Sequence, residues 1–399
     1  MITRSTSPQR IVVVGFGAAA LAACQELRAL GWSGDLTILS QESTWPYDRP
    51  PLTKGYLTGQ MSRDRLDLAD NDGIAGLDAD VRLGVCGARL VVDEHRLEDS
   101  AGTIHTYDAL VIATGVRPRR LPGTDARNTY ALRTVLDADR LRIALTGAKN
   151  LVVVGGGFLG FEVAGSARTL GVEVTVIEPL RIPLADRLGT TIATRLLSLH
   201  QENGVRVLAS TSVAEVSQVS QDVVVRLQNG QTLATDVVLE AIGCVPDTAW
   251  LEGSGLDLRD GIVCDAWSRA APDVFAAGDV AKWRHLGLRR DVRVEHRMNA
   301  TEHGRAVAGA ILGHGVPYTP VPFVWTDHYG VRIQVAGIVQ PEGIPLLLQG
   351  DPEDDTFVVG WQGNQLEAAA GWNAARELMP YRRQLAATIG RPDVTEEGA

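Results

Sequence analysis

The chain is 399 residues long, 45% hydrophobic, and carries a formal net charge of −10; this length exceeds what one core supports and implies two or three domains. Its 42 glycines against 5% aromatic residues suit an α/β architecture with many tight turns, and exclude a disulfide scaffold or a disordered chain. The acidic balance opposes the many phosphate contacts of a general nucleic-acid binder, so no nucleic-acid partner is expected.

Residues 1–10 are polar and lack the apolar core of a secretion signal, and no apolar run is long enough to span a bilayer. A cytoplasmic protein without a membrane partner is expected. An apolar run at residues 11–14 then leads into Gly15-Phe16-Gly17-Ala18-Ala19-Ala20, a helical pattern reaching Leu30, and a second strand pattern at 36–39. The same grammar returns at 151–154, Gly155-Gly156-Gly157-Phe158-Leu159-Gly160, a helical pattern to Leu170 and a strand pattern at 173–177.

A pyrophosphate explains this grammar. Gly15 and Gly155 permit the tight turn, Gly17 and Gly157 let the backbone approach the phosphates, and Ala20 and Gly160 allow close helix–strand packing. The helix N-terminus then faces the anion. One such turn is shared by many doubly wound domains; two in one chain point to two different dinucleotides. An acid after the second strand holds the adenosine ribose, and Glu178 stands there, which predicts NADH, with NADPH disfavoured. Arg181 is either a nearby cation that would weaken that preference by swinging toward a 2′-phosphate or a solvated loop arginine. In the first copy the strand ends in Ser40-Gln41-Glu42, so Glu42 is the ribose candidate, later than usual.

Further along, Tyr107-Asp108-Ala109-Leu110-Val111-Ile112-Ala113-Thr114-Gly115 reads as a buried strand ending in a small-residue turn, and residues 237–243 end similarly before Pro246. Such crossovers fit one domain inserted into another. The run Pro272-Asp273-Val274-Phe275-Ala276-Ala277-Gly278-Asp279 delivers Asp279 beside a glycine, where it binds a ribityl hydroxyl or caps a helix. Cys24, Cys86, Cys244 and Cys264 stand far apart without a Cys-x-x-Cys, so neither a metal site nor a dithiol pair is expected.

The ordered set Gly15-x-Gly17, Trp45-Pro46-Tyr47-Asp48-Arg49-Pro50-Pro51-Leu52-Thr53-Lys54, Ala113-Thr114-Gly115, Gly155-x-Gly157-x-x-Gly160-x-Glu162 and Ala277-Gly278-Asp279 resembles the FAD/NAD(P)-dependent ferredoxin reductases. It is most similar to the oxygenase-coupled group, which contains the reductase components of aromatic-ring dioxygenases and putidaredoxin reductase. The likeness runs from about Arg10 to about Arg383 and takes in Trp325-Thr326-Asp327. It implies a glutathione-reductase-like α/β fold with two Rossmann-type domains: an FAD domain from residues 1–117 and 246–318, an NAD domain from 118–245, and a C-terminal α+β domain from 319–399. It also implies that Lys54 lies beside the flavin N5 edge and pairs with Glu162, that Asp279 holds the ribityl chain, and that Trp325 reaches toward the flavin. A cation there stabilises anionic reduced flavin, since the protein's part in flavin chemistry is orientation and electrostatics.

From the residues alone, Lys54 also reads as a solvated loop lysine, Glu162 as an exposed helical acid, Arg49 as a phosphate ligand or a partner of Asp48, and Trp325 as plain core. The chain departs from its relatives at His296-Arg297, where His-Trp is usual, and at His303 and His328, where glutamine is usual. Residues 42–57 hold no cysteine, which disfavours the peroxidase and disulfide-reductase branches. The implied acceptor is a one-electron iron–sulfur ferredoxin serving an oxygenase or a P450. The basic residues Lys282, Arg284, Arg289, Arg290, Arg293, Arg297 and Arg305, with Arg376, Arg382 and Arg383, are a candidate surface for such an acidic partner, or else scattered solvated arginines. The alternatives are a free-standing NADH oxidase or diaphorase and a slowly turning-over interaction module. A monomer or a homodimer is compatible with all three.

Overall fold

In the computed structural model, which describes residues 7–122, 124, 127–219, 222–340 and 343–389, two mainly parallel sheets form the centre of the molecule. The Arg10–Val14 strand lies between Asp35–Ser40 and Ala109–Ile112, with Ile11 opposite both Leu36 and Ala109. Val274–Ala276 pairs in parallel with Ala109–Ile112, so residues far apart in the chain complete one sheet. Its strands are near-continuous apolar runs because both faces are covered, Val12 and Val14 by strands that carry Leu97 and Trp283, and Ile11 and Val13 by helices. One of these is Ala18–Ala29, whose alanines permit a close crossing with the Arg297–Ile311 helix. A Cβ on Gly304 would stand 2.1 Å from the Ala19 carbonyl oxygen.

The second sheet repeats the plan with Asn150–Val154 between Glu173–Ile177 and Val237–Glu240. The two passages between the sheets run side by side, Val116–Pro118 pairing antiparallel with Cys244–Pro246. The chain closes in a five-stranded antiparallel sheet, ordered Phe323–His328, Val331–Gly337, Leu366–Trp372, Phe357–Gln362 and Leu346–Gly350, followed by the Ala375–Ile389 helix. One apolar core runs without a break from the second sheet to this last one, joining Val153 and Phe161 to Ile333 and Trp361 and also to Leu52 and Leu57. The segment with the Tyr-Asp-Arg-Pro-Pro run is thereby fixed against both sheets. No helix among the described residues is long and apolar enough to cross a membrane, and no cluster of metal-ligating side chains occurs among them.

Candidate functional site

Both glycine turns are built alike. Gly15 has φ +97° and a Cβ there would lie 2.3 Å from the Ala113 carbonyl oxygen; Gly155 has φ +107° and would meet the Ala241 oxygen at the same 2.3 Å. The strand-end turns Ala113-Thr114-Gly115 and Ala241-Ile242-Gly243 are therefore the walls that demand glycine. Thr114 Oγ1 donates to the Asp247 carbonyl at 2.9 Å and ties the two passages together. Gly17 and Gly157 are the N-caps of the Ala18–Ala29 and Phe158–Thr169 helices; neither helix has a side-chain cap or an acid in its first turn. A Cβ on either glycine would meet nothing within 4 Å, so each turn opens onto free space at an uncapped helix N-terminus. Ala20 and Gly160 lie in the interior, as the packing role requires, and a Cβ on Gly160 would stand 2.0 Å from the Gly155 oxygen.

A cleft of about 820 Å³ runs along the first turn. Its walls include Gly15, Gly17, Glu42, Arg49, Lys54, the 113–115 turn, Asp279 and Trp325, and it extends to Phe158, Leu159 and Glu162 at the start of the second helix. Residues from both turns thus face one space. Gly155, Gly157 and Glu178 do not line it. Glu178 is buried, with Oε2 accepting the Gly156 N–H at 2.7 Å and Oε1 accepting the Leu180 N–H at 2.9 Å. Arg181 is exposed.

Lys54 Nζ stands 2.7 Å from Glu162 Oε2, with side chains 25% and 10% exposed, so neither is a solvated surface group. Glu162 is gripped further by Thr53 Oγ1 on Oε2 and Thr326 Oγ1 on Oε1, both at 2.6 Å. Arg49 pairs with Glu42 at 2.6 Å and donates to the Arg133 carbonyl at 2.6 Å; Asp48 is taken by Arg297 at 2.5 Å. Tyr47 donates to Glu42 and accepts the Val135 N–H at 2.9 Å. Burial, with Glu42 beside it, pushes the Tyr47 phenol up to about 12. Asp279 lies within the short Gly278–Val280 turn without capping it, and pairs with Arg133 at 2.9 Å. Trp325 lines the cleft edge-on to His296, with ring centres 4.3 Å apart.

Of the unusual histidines, His303 is fully buried; its Nδ1 accepts the Gly278 N–H at 3.2 Å and its Nε2 donates to Ser268 Oγ at 2.7 Å, which holds the turn that presents Asp279. His328 lies behind Thr326, with Nε2 2.8 Å from its hydroxyl. In the basic run, Lys282, Arg284, Arg293 and Arg297 all form ion pairs within the chain. The candidate basic surface therefore carries less unpaired charge than its sequence indicates. Sequence reasoning missed Thr53, Thr326 and Arg133 as the groups that hold Glu162 and Asp279, because each acts across more than 100 residues of chain.

The cleft suits a long cofactor with an anionic middle. Its volume lies within the range of about 300–1,000 Å³ usual for cofactor sites. Three of its lining residues carry buried polar atoms without a partner, Thr44 Oγ1, Trp250 Nε1 and His296 Nδ1, which a bound molecule would satisfy. Burial lowers the His296 imidazole to about 4, keeping it neutral beside Lys54 and Arg297.

Residues 9–304 match the family model of pyridine nucleotide-disulphide oxidoreductases, and residues 323–396 match the reductase C-terminal model. The chain is 32% identical over 381 residues to rhodocoxin reductase of Rhodococcus erythropolis, covering 94% of this chain and 89% of that protein. It is 34% identical over 375 residues to the biphenyl dioxygenase system ferredoxin–NAD(+) reductase component of Paraburkholderia xenovorans, covering 92% and 91%. Among solved structures, the covalent putidaredoxin reductase–putidaredoxin complex matches with a TM-score of 0.91 and 28% identity, over 96% of this chain and 94% of that one.

Proposed function

Since the chain belongs to the pyridine nucleotide-disulphide oxidoreductases, with the fold of the glutathione-reductase-like FAD/NAD enzymes and the reductase C-terminal domain appended, we propose that it passes electrons from NADH through FAD to a [2Fe–2S] ferredoxin. The ferredoxin in turn serves an oxygenase or a P450. One observation carries this reading: a single cleft is lined by the first glycine turn, by the start of the second glycine-turn helix, and by the Lys54–Glu162 pair between them. Hydride transfer needs two dinucleotides to meet at about 3–3.5 Å, and this is the place where the first turn and the start of the second helix share one space. Bound FAD supplies the chemistry of accepting two electrons at once and releasing them singly.

The residues then divide by task. Gly15 and Gly17 with the Ala18–Ala29 N-terminus hold the FAD pyrophosphate, Ala20 keeps that helix close, Glu42 and Arg49 bind the ribose and phosphate end, and Ala113, Thr114 and Gly115 form the wall. Asp279, aimed by Arg133 and His303, takes the ribityl hydroxyls, and Trp325 closes one side. Gly155, Gly157 and Gly160 form the NAD turn, and Glu178 takes the ribose diol, which favours NADH over NADPH. Lys54 and Glu162 are the catalytic pair: Lys54 offers a cation where the hydride brings negative charge, and Glu162, fixed by two threonine hydroxyls, keeps that cation in place. The division into 1–117 with 246–318, 118–245, and 319–399 belongs to the same reading, supported by which sheet each strand joins.

Anaerobic titration of the FAD-loaded protein tests it. One equivalent of NADH should bleach the flavin, and a [2Fe–2S] ferredoxin should raise cytochrome c reduction at least tenfold over the protein alone. A protein that binds no FAD sinks the reading; oxygen or quinone reduction unchanged by any ferredoxin favours the free-standing oxidase.

A further inference from the structure

Behind Glu162 a chain of hydrogen bonds leads away from the cleft. Thr326 Oγ1 lies 2.6 Å from Glu162 Oε1, His328 Nε2 2.8 Å from Thr326 Oγ1, His200 Nε2 3.2 Å from His328 Nδ1, and Tyr329 Oη 3.5 Å from His200 Nδ1. Thr326, His328 and His200 are buried at 1%, 3% and 0% exposure, and Tyr329 stands half-buried at the outer end. A carboxylate only accepts, so the direction of every bond follows from Glu162. Thr326 must donate to it and so accepts from His328 Nε2–H; His328 Nδ1 is left to accept from His200 Nε2–H, and His200 Nδ1 to accept the Tyr329 hydroxyl. Each hydrogen points toward Glu162 and none collides.

We infer that this chain is a proton relay, through which Glu162 takes up a proton from solvent when a hydride enters the cleft and returns it when the electrons leave. The inference rests on the hydride-accepting reading above. Each hydride brings one negative charge into a space where Glu162 already holds another, with Lys54 as the cation between them. A second negative charge within reach favours the neutral carboxylic acid. The groups that bear on Glu162 are Lys54 from the segment after Pro50–Thr53, and His328 and His200 reaching it through Thr326.

The steps balance. NADH gives up a hydride and leaves as NAD⁺; concertedly, Tyr329 passes a proton to His200 Nδ1, His200 one from Nε2 to His328 Nδ1, His328 one from Nε2 to Thr326, and Thr326 its own to Glu162, while solvent restores Tyr329. Both imidazoles now carry hydrogen on the opposite nitrogen, so the chain points outward. When two one-electron iron–sulfur acceptors have each taken an electron, the Glu162 proton leaves by the reverse hops and the hydride's proton is released as well. The sum is NADH plus two oxidised acceptors giving NAD⁺, two reduced acceptors and one proton. Relaying needs neutral imidazoles, which accept at one nitrogen and release from the other. Burial provides them, lowering His200 to about 3 and His328 well below its ordinary value.

The test is proton stoichiometry. The FAD-loaded protein, weakly buffered near pH 7 with a pH-indicator dye, is mixed anaerobically with one equivalent of NADH. Wild type should take up one proton per flavin in step with bleaching. Glu162→Gln should take up none; His328→Gln and Tyr329→Phe should take it up at least tenfold more slowly than they bleach, with added imidazole restoring the rate. In the oxidised protein, ¹⁵N NMR should find both His200 and His328 as the Nε2–H tautomer. No uptake by wild type, persistent uptake by Glu162→Gln, or uptake at the wild-type rate in His328→Gln overturns the relay and leaves two structural histidines. If His328→Gln does not fold, Tyr329→Phe and the tautomers decide. A protein that NADH does not bleach at all overturns the functional reading instead.

Discussion

Lys54 and Glu162 sit 2.7 Å apart with most of each side chain out of water, and Glu162 holds two further donors besides. Breaking such a pair leaves a charge without its partner, which costs more than a surface ion pair is worth. Lys54→Met removes the cation that favours incoming negative charge, so stopped-flow reduction by NADH should slow at least tenfold. Glu162→Gln keeps an acceptor for one of Thr53 and Thr326 and leaves the Lys54 cation in the cleft, so it should slow it less. Because the two residues share one interaction, the double mutant should be less impaired than the sum of the singles, by about 0.5–3 kcal/mol in activation free energy. Additive effects would make them independent groups. The second residue-scale prediction concerns Glu178, which the Gly156 and Leu180 amides orient at the end of its strand. A charge-assisted contact to the ribose diol, with repulsion of a 2′-phosphate, should favour NADH by roughly tenfold or more in kcat/KM. Glu178→Ala should erase most of that ratio. Wild type that uses NADPH equally well would hand control of the site to Arg181.

At the scale of elements, the two glycine-turn units share a plan but differ in tightness. The second helix packs so closely that a Cβ on Gly160 would stand 2.0 Å from a backbone oxygen, whereas the first helix already carries Ala20 at the matching place. Gly160→Ala should therefore cost about 2 kcal/mol or more of stability, read as a lower urea midpoint, because backbone must move. Gly17→Ala, with φ −91° and open space around it, should leave the apo-protein midpoint within about 0.5 kcal/mol yet weaken FAD retention, since its methyl enters the place of the phosphates. Equal effects of the two substitutions would contradict this division. These units were legible in the sequence because strand period, glycine spacing and the acid at Glu178 all lie within about 30 residues of each other. The supports of the site were not. Thr53 and Thr326 reach Glu162 across 109 and 164 residues, Arg133 reaches Asp279 across 146, and His200 reaches His328 across 128. No local pattern marks such partners, although His303 and His328 stood out as histidines where glutamine is usual. The basic run carries less unpaired charge than its sequence indicates, since Arg284 and Arg293 are paired by Asp291 and Glu295 within the run and Arg297 by the distant Asp48.

The whole molecule has a pH dependence that follows from where its histidines lie. His200, His303 and His328 are buried at 0%, 0% and 3% exposure, and burial lowers His200 and His303 to about 3 and His328 well below its ordinary value. In the unfolded chain each titrates near 6.5. Their folded values are depressed, so above pH 6.5 both states are neutral and the contribution to stability is fully present. As pH falls below 6.5 the unfolded state binds protons that the folded state refuses, and stability falls toward the folded values. The slope is up to about 1.4 kcal/mol per pH unit for each histidine. Carboxylates act later: burial works against the charge of Asp99, yet its bonds from His105 and the backbone prevail and lower it below the usual carboxylate value, so its contribution is lost only as pH falls below about 4. Urea unfolding with FAD in fixed excess, which keeps cofactor linkage constant, should give a plateau above pH 7 and a steady loss between pH 6.5 and 4. His303→Gln can still accept the Gly278 N–H and donate to Ser268 but cannot take a proton, so its loss over that range should be shallower by one histidine's share. A variant with the wild-type slope would mean that His303 is protonated in the folded core, and the turn that presents Asp279 would then have to be held by a cation.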